Sequence, residues 1–271
     1  MAADNDLQTV EGLRAALARS QQQLADMTAA QEEFLRAVSH DLRAPLRHVT
    51  SYGALVREVL AGLEGPAGAS EDVQEALGFL ATMDQSARRM GAMLDGLLAI
   101  ARVSRTPLQR VAVPLAQALE SAREQALATA ARSGSLPAVQ WQVDAALPAL
   151  LADPALLQAL LLQLLGNALK FSRGSAPPCI SVAPADAPEG QVAFTITDNG
   201  VGFDPARAAH LGGVFQRLHR ESEFEGVGAG LALCHAIAAQ HGGTVSVAAQ
   251  PGAGCTVRVQ WPVAVAADGA A

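Results

Sequence analysis

Apolar residues recur every three to four positions along the first hundred residues, which is the spacing of amphipathic helices. One series starts at Val10 and continues in heptads to Val38, and it predicts a parallel coiled coil over residues 1–33. An overlapping series runs from Phe34 to Val49 and gives that helix one buried side. Because a lone helix has little in the chain against which to bury such a stripe, the pattern favours self-association.

A second helix is predicted after the Gly- and Pro-rich residues 61–70, which indicate a loop. Its seam positions are all apolar: Val73, Ala76, Leu80, Met83, Ala87, Met90, Leu94, Leu97 and Ala101. The two helices would form a hairpin over residues 34–103, and a dimer would close it into a four-helix bundle. The helical pattern breaks between Val103 and Pro107, so we expect a domain boundary there.

Beyond the boundary, strand and helix patterns alternate over residues 104–263. Strands are predicted at 108–113, 139–143, 149–152, 179–183, 191–198, 244–249 and 255–261, and helices at 114–131, 154–171 and 230–240. Asp153 followed by Pro154 is a typical start signal for a helix. The pattern predicts an α+β sandwich with helices on one side of a sheet, followed by a disordered tail at 264–271.

Composition narrows the class of protein. Half of the 271 residues are hydrophobic, which allows a core in each domain, and the net charge of -7 without a basic stripe disfavours nucleic-acid binding. The three cysteines are widely spaced and odd in number, which suits reduced thiols. The longest apolar run, residues 155–171, is broken by polar residues, so we expect no membrane span and a cytoplasmic location.

The helix from Phe34 to Val49 carries the first candidate for chemistry, His40 beside Asp41. Pro45 cannot donate a hydrogen bond to the carbonyl of Asp41, so we expect a bend that leaves His40 facing outward. Alone, such a pair is more often only a solvated surface pair.

Three polar residues share one face of the helix predicted at 154–171, namely Gln163, Asn167 and Lys170. An amide oxygen can bind Mg²⁺ and a lysine can neutralise phosphate oxygens, so this face suits a nucleotide triphosphate held through its metal. The simpler interpretation is a helix end that turns toward solvent.

Asp198 has the same parity as the apolar residues of its strand and should be buried with them. Gly200 and Gly202 follow it and let the backbone approach a flat ring, whose amino group could bind the carboxylate as that of adenine does. Gly226, Gly228 and Gly230 lead into a helix whose free N–H groups can cradle phosphates. No hydrophobic strand precedes these glycines, so a flexible lid between 199 and 229 fits better than a dinucleotide-binding fold.

Together these motifs resemble the transmitter of bacterial sensor histidine kinases, with a HisKA-type dimerisation domain and a HATPase_c domain of the Bergerat (GHKL) fold. Residues 39–46 match the H box, 164–171 the N box, 198–202 and 226–230 the glycine boxes, and 214–219 the F box. The amino-acid sequence of the F box is similar to that of kinases attached to phytochromes.

The resemblance implies that His40 accepts a phosphoryl group from ATP and that Asp41 orients its imidazole and takes its proton. Mg²⁺ would be held by Asn167 with Gln163. The nucleotide would contact Asn167, Lys170, Asp198, Gly200, Gly202, Arg217, Gly226, Gly228 and Gly230, with Asp198 on adenine and Arg217 near the γ-phosphate. The implied partners are a second copy of the chain, the receiver aspartate of a response regulator, and an upstream sensor domain or separate sensor protein.

The sequence departs from this family pattern at three positions. Ala44 stands where many relatives carry a Thr or Asn that positions water, which predicts weak phosphatase activity. Gln163 replaces an Asn, and Val227 replaces a Thr or Ser of the glycine loop. These two changes leave open a phosphotransfer or scaffold protein with a degenerate ATP site. An ATPase of the gyrase and chaperone group would need a carboxylate near Gln163, where an amide cannot activate water.

Overall fold

The computed structural model describes residues 17, 20–22, 38, 40–59, 69–105, 107–132, 138–206, 213–218 and 223–263. The predicted coiled coil, the predicted loop at 61–70 and the predicted tail at 264–271 lie almost wholly outside these residues. Residues 69 and 70 are described, and they are helical and not part of a loop. The chain divides into two compact units, Met1–Met90 and Gly91–Ala271, and the division falls within the second helix.

The first unit contains the predicted helical hairpin. Helix α1 covers residues 40–59 and continues without interruption through Pro45, and helix α2 covers Ala69–Arg105, of which the part up to Met90 belongs here. The rings of Tyr52 and Phe79 stack between the helices with their centroids 5.4 Å apart. Of the α2 seam in this unit, Ala76 is buried whereas Val73 and Leu80 remain exposed.

The second unit is built on a mixed five-stranded sheet in the order β2-β4-β5-β7-β6, beside a two-stranded sheet of β1 and β3. Its strands are β1 (Val111–Pro114), β2 (Gln140–Val143), β3 (Ala149–Ala152), β4 (Cys179–Ala185), β5 (Gln191–Asp198), β6 (Thr244–Ala249) and β7 (Cys255–Pro262). Its helices are α3 (Leu115–Arg132), α4 (Pro154–Ser172) and α5 (Gly230–Gln240). Strands β2 and β4 are parallel, and all other pairs are antiparallel.

The core of this unit lies between the helices and the inward side chains of the sheet. Buried leucines of α4 meet Phe194 and Ile196 of β5 and the fully buried Trp261 of β7. The Trp261 indole N–H donates to the carbonyl of Leu151 at 3.1 Å, which satisfies its polar atom inside the core. By length and composition α4 could cross a membrane, but its leucines belong to this core.

The helix start predicted at Asp153 and Pro154 is confirmed. The Asp153 carboxylate accepts hydrogen bonds from the N–H groups of Ala155 at 3.0 Å and Leu156 at 3.2 Å, so it caps α4. It also accepts from the N–H of Gln109 at 3.1 Å. This cap places α4 at a fixed point relative to the segment that leads into β1.

Three predicted boundaries were wrong by two or three residues. Strand β4 ends at Ala185 and not at Ala183. The first strand begins at Val111 and not at Leu108, because Gln109 is bound to the α4 cap and lies outside the β ladder. Helix α2 continues to Arg105, beyond the predicted break at Val103, because Val103 is buried in the core of the second unit. Pro107 then ends the helical run, since a residue before proline disfavours helical geometry.

Candidate functional site

His40 and Asp41 form a hydrogen-bonded pair at the start of the described part of α1. His40 Nδ1 lies 2.9 Å from Asp41 Oδ1, and the imidazole is 81% exposed. When Nδ1 carries the proton and donates it to the carboxylate, Nε2 presents its lone pair to solvent. The pair therefore offers an oriented nitrogen nucleophile on the surface of the first unit.

The second unit contains a cavity of about 480 Å³. Residues from all the motifs predicted to bind nucleotide line it: Gln163, Asn167, Lys170, Asp198, Gly202, Arg217, Gly226, Gly228 and Gly230. Gly200 is not among the lining residues, but its N–H donates to Asp198 Oδ1 at 2.9 Å. Sequence segments that are up to about seventy residues apart thus meet at one site of ligand size.

Asp198 lies at the end of β5 and is 6% exposed, as its parity in the strand predicted. Burial raises the pKa of its carboxyl to about 6, and hydrogen bonds from the backbone of Gly200 and Cys255 act in the opposite direction. The group is therefore ionised at neutral pH. It offers a buried hydrogen-bond acceptor to a ligand in the cavity.

The glycines after Asp198 are required by close backbone approaches. A Cβ on Gly200 would lie 2.5 Å from the carbonyl oxygen of Phe171, and one on Gly202, which has a φ of 59°, would collide with the Gln250 carbonyl. The Val201 N–H donates to the Phe171 carbonyl at 3.2 Å. These contacts join the loop after β5 to the end of α4, and so bring Asp198 close to the polar face of that helix.

Asn199 has a structural role within the same motif. Its amide oxygen accepts from the N–H of Cys179 at 2.8 Å, and its amide nitrogen donates to the carbonyl of Pro177 at 2.9 Å. Both polar atoms of the side chain are thus occupied by the turn before β4.

The polar face of α4 supplies Gln163, Asn167 and Lys170 to the cavity. Burial lowers the pKa of Lys170 to about 8, the nearby Arg217 and Arg173 act in the same direction, and Glu225 opposes them. Lys170 Nζ donates to the carbonyl of Glu225 at 3.3 Å. Lys170 is a partly desolvated cation whose charge is available near neutral pH.

The amides on this face suit a magnesium ion that is carried by phosphates. Mg²⁺ keeps several waters and commonly takes only one or two protein oxygens, and the Asn167 amide lies in the cavity wall where it could be one of them. Gln163 Oε1 points toward Gly230, since a Cβ on that glycine would lie only 2.6 Å from it. The residues present therefore fit such an ion, with Asn167 better placed than Gln163.

The glycine loop is held by the segment that contains Phe215. The Phe215 N–H donates to the Gly228 carbonyl at 3.1 Å, and a Cβ on Gly228, which has a φ of 78°, would lie 2.7 Å from the Gln216 carbonyl. Helix α5 starts at Gly230 after Ala229, which makes no side-chain cap. Its first N–H groups, at the positive end of the helix dipole, suit an anion.

Some residues at this site were missed by the sequence interpretation. Phe224 packs its ring edge-on against Phe171 at 5.0 Å, Arg173 contacts the chain around Phe224, and Asp95 and Cys255 line the cavity. For one of these residues, Arg173, the periodicity of α4 contained a signal. Arg173 follows Lys170 by three positions and so lies on the same face, one turn further along the helix. The other contacts join distant segments and leave no local pattern.

Comparison with known families decides the class. Residues 30–106 match the His Kinase A (phospho-acceptor) domain, and residues 152–265 match the histidine kinase-, DNA gyrase B- and HSP90-like ATPase domain. The chain belongs to the transmitters of sensor histidine kinases. The phospho-acceptor domain separates this histidine kinase from the gyrase and chaperone ATPases, which share only the second domain family.

Relatives of this histidine kinase agree with the resemblance. The phytochrome-like protein Cph1 of Synechocystis sp. is 28% identical over 232 residues, which are 86% of this chain and 29% of that protein. Histidine protein kinase DivJ of Caulobacter vibrioides is 28% identical over 248 residues, or 89% of this chain and 38% of that protein. The predicted similarity to phytochrome-associated kinases is confirmed, and this histidine kinase chain spans less than half the length of these relatives.

A solved structure agrees with the fold. The crystal structure of full-length ShkA in complex with AMPPNP superposes on the histidine kinase with a TM-score of 0.51 at 25% identity, covering 85% of this chain and 45% of that one. A helical N-terminal region followed by an ATPase domain of mixed α and β structure was predicted, and it is confirmed.

Proposed function

We propose that this chain is an ATP-dependent protein-histidine kinase that phosphorylates His40 and passes the phosphoryl group to an aspartate of a response regulator. The observation that carries the proposal is the cavity of the second unit. It combines a buried carboxylate, Asp198, with two cations, Lys170 and Arg217, and a glycine loop at the start of a helix. A ligand with a hydrogen-bonding ring and a polyphosphate tail matches this distribution of groups.

The nucleotide has one orientation that satisfies these groups. The Asp198 carboxylate accepts a hydrogen bond from the adenine amino group, while Ile196 and Val257 offer apolar surface to the ring. The phosphates then lie toward Lys170, Arg217 and the N–H groups at the start of α5. The AMPPNP complex of ShkA supports the same class of ligand.

Asn167, with Gln163 as a second amide, would hold Mg²⁺ bound to the phosphates, and the ion would supply charge neutralisation to the reacting γ-phosphate. Lys170 adds positive charge near the same oxygens. These groups stabilise charge that spreads over the phosphoryl oxygens during transfer.

The His40–Asp41 pair suits the acceptor in phosphoryl transfer. Nε2 attacks the γ-phosphorus, a nitrogen–phosphorus bond forms, and the bond from phosphorus to the β,γ-bridging oxygen breaks to release ADP. Asp41 orients the imidazole and takes the Nδ1 proton as positive charge develops on the ring. In the second reaction a regulator carboxylate attacks the same phosphorus, and the imidazole is the leaving group.

We propose that the kinase works as a homodimer in the cytoplasm. Leu46, Leu77 and Leu80 of the helical hairpin are 53%, 57% and 46% exposed in the single chain, and a four-helix bundle would bury such leucines. The three free cysteines suit a reducing compartment. The signal would come from an upstream domain or a separate sensor protein.

Incubation of the full chain with γ-labelled ATP tests the kinase proposal. We expect label on the wild-type chain and none on His40→Gln, while the matched variant His48→Gln, altered at another exposed histidine of α1, keeps it. Label that survives in His40→Gln would exclude this residue as the acceptor. Titration with Mg²⁺-ATP tests the alternative, because absence of saturable binding would favour a scaffold with a degenerate ATP site.

A further inference from the structure

Arg173 lies directly after α4, where it serves as the C-terminal cap residue. Its guanidinium donates to the Glu223 carbonyl at 3.0 Å, lies 3.6 Å from the Glu225 carboxylate and stacks over the Phe224 ring at 5.3 Å from the centroid. One side chain thus contacts three successive residues. It does so from outside the cavity, since Arg173 is not among the lining residues.

Two of these residues, Phe224 and Glu225, also bind the two cations inside the cavity. Lys170 Nζ donates to the Glu225 carbonyl at 3.3 Å, and Arg217 Nη2 donates to the Phe224 carbonyl. Three cations therefore donate to three successive carbonyl oxygens, one from outside the cavity and two from its wall. We call residues 223–225 the carbonyl segment.

The carbonyl segment is also connected to the glycine loop and to α4. Glu225 is followed directly by Gly226, so a shift of Glu225 passes through one peptide unit to the loop. Phe224 packs edge-on against Phe171, the residue next to Lys170. The position of this segment therefore determines where both cations and the glycine loop face the cavity.

We propose that Arg173 is a positioning residue for the nucleotide phosphates. By holding the carbonyl segment from outside, it fixes Lys170, Arg217 and the glycine loop in the arrangement that receives the polyphosphate. The inference rests on the proposed kinase function and deepens it, because none of the matched sequence motifs includes Arg173. It assigns the residue no contact with the nucleotide.

The contacts require an arginine rather than a positive charge alone. A planar guanidinium can stack on Phe224 while its N–H groups donate to Glu223 and Glu225, and an ammonium group cannot do both. The Arg173–Glu225 ion pair is exposed, with 45% and 65% of the two side chains accessible, so it adds little to global stability. The effect of Arg173 is then expected in phosphate binding and not in the unfolding transition.

The position of Arg173 also predicts which part of the nucleotide is bound less tightly when Arg173 is replaced. Lys170 and Arg217 face the phosphates, whereas Asp198, at the end of β5, faces the adenine ring. Loosening the carbonyl segment should therefore weaken ATP binding roughly 3- to 10-fold and leave adenosine binding unchanged. A purely structural defect in the cavity would weaken both ligands.

Calorimetric titration of the full chain tests this, in a His40→Gln background so that no phosphoryl group is transferred. The variants are Arg173→Ala and Arg173→Lys, with Arg123→Ala as the matched control. Arg123 also pairs with a carboxylate, Glu120, and stacks over an aromatic ring, Trp141 at 5.6 Å, but it is not part of the cavity wall.

We expect Arg173→Ala to lose affinity for ATP but not for adenosine. The ATP affinity of Arg173→Lys should lie between those of Arg173→Ala and wild type. Both variants should keep the unfolding midpoint of wild type. In the chain with His40 intact, the KM for ATP should rise while kcat changes little. Equal ATP affinity in Arg173→Ala and Arg123→Ala overturns the inference, and so does an equal loss of adenosine and ATP binding. If wild type binds ATP and the ATP affinities of Arg173→Ala and Arg123→Ala are equal, the kinase proposal stands and only the proposed role of Arg173 is refuted. If wild type itself binds no ATP, both fall.

Discussion

The Nε2 atom of His241 accepts a hydrogen bond from the backbone N–H of Asp153 at 3.0 Å, and this bond ties the end of α5 to the start of α4. His241 Nδ1 donates to the Ile237 carbonyl at 2.8 Å, so the two contacts fix one neutral tautomer. The ring is 1% exposed and packs against Trp261. Because α4 carries the polar face of the cavity and α5 follows the glycine loop, this histidine holds two cavity walls together.

Protonation of His241 should destabilise the fold. Burial lowers its pKa below the value in the unfolded chain, so the unfolded state binds more protons as the pH falls through about 6.5. Stability is therefore lost on acidification toward the lower folded-state pKa. In His241→Gln this pH dependence should disappear, and stability near pH 7 should fall by about 1–3 kcal/mol because a buried hydrogen bond is lost.

Urea unfolding between about pH 5 and 7.5 measures both effects of His241, well inside the range where histidines titrate. His48→Gln, a substitution at an exposed histidine of α1, is the matched control. Equal slopes in wild type and His241→Gln would contradict the prediction.

The buried Asp198 carboxylate should lower the stability of the fold at neutral pH and increase the affinity for ATP. Its folded-state pKa of about 6 lies above the unfolded value, so the folded chain binds the extra proton and stability falls as the pH rises from about 4 to 6. Asp198→Asn should remove this cost and raise stability at pH 7 by an amount on the order of 2 kcal/mol. Since the Gly200 N–H holds the amide oxygen, the amide NH₂ would face the adenine amino group, and ATP affinity should fall at least about 10-fold.

Asp144→Asn is the control for both effects of Asp198→Asn. The Asp144 carboxylate also accepts a hydrogen bond from a backbone N–H two residues later, that of Ala146 at 2.8 Å, but on an exposed turn. Chemical denaturation and ATP titration at pH 7 provide the two measurements. A destabilised Asp198→Asn that still binds ATP tightly would show that burial does not strain this carboxylate.

Lys170 should set an upper pH limit for nucleotide use. Its pKa of about 8 means that the free chain loses this charge above that pH, while Asp198 loses its charge below about 6. We expect kcat/KM for ATP to be highest between these values, because this ratio reports groups of the free enzyme. Lys170→Arg should remove the decline on the alkaline side, since a guanidinium stays charged.

A pH profile of initial autophosphorylation rates at low ATP measures the effect of Lys170. The acidic decline should persist in Lys170→Arg, which serves as an internal control. An alkaline decline of equal steepness in both chains would assign it to another group.

The glycine loop should not tolerate a side chain at Gly228. A methyl group there would meet the Gln216 carbonyl and push away the segment that contains Phe215, besides the strain of a φ of 78°. We expect Gly228→Ala to reduce ATP affinity by roughly 10-fold or more. Gly190→Ala has nearly the same φ, 79°, but open space around it, so it should cost some stability and leave ATP affinity intact. ATP titration of the two variants separates backbone strain from the close contact, and equal affinities would refute the steric argument.

Ala44 should limit the hydrolysis of the phosphoryl group on the proposed response regulator. It is exposed on α1 four residues after His40, so the two side chains share one face of the helix. Ala44→Thr supplies a hydroxyl that can orient water, and we expect regulator dephosphorylation to rise about 10-fold. Ala54→Thr, at another exposed alanine of α1, is the control. No gain with Ala44→Thr relative to Ala54→Thr would disprove the assignment.

Most elements and the motif residues that line the cavity could be predicted because their signals are local. Helix α5 begins at Gly230 and ends at Gln240 as the pattern indicated, and Asp198 is buried as its parity required. The start of β1 could not be predicted, since it depends on the bond of Gln109 to Asp153, forty-four residues away. The same is true of the contact of Arg173 with Glu223, which joins residues fifty positions apart. Sequence periodicity contains no information on such tertiary pairs.

The two amide bonds of Asn199 affect how a mutational scan of this motif should be interpreted. Asn199 stands between two residues of the nucleotide site, so loss of signalling after its substitution would be assigned to ATP binding by position alone. Its partners are Pro177 and Cys179, however, and the expected defect is in the amount of folded protein. Expression level and melting temperature should be measured beside activity. They would show that substitution of Asn199 lowers the amount of folded protein, whereas substitution of its neighbours Asp198 and Gly200 weakens ligand recognition.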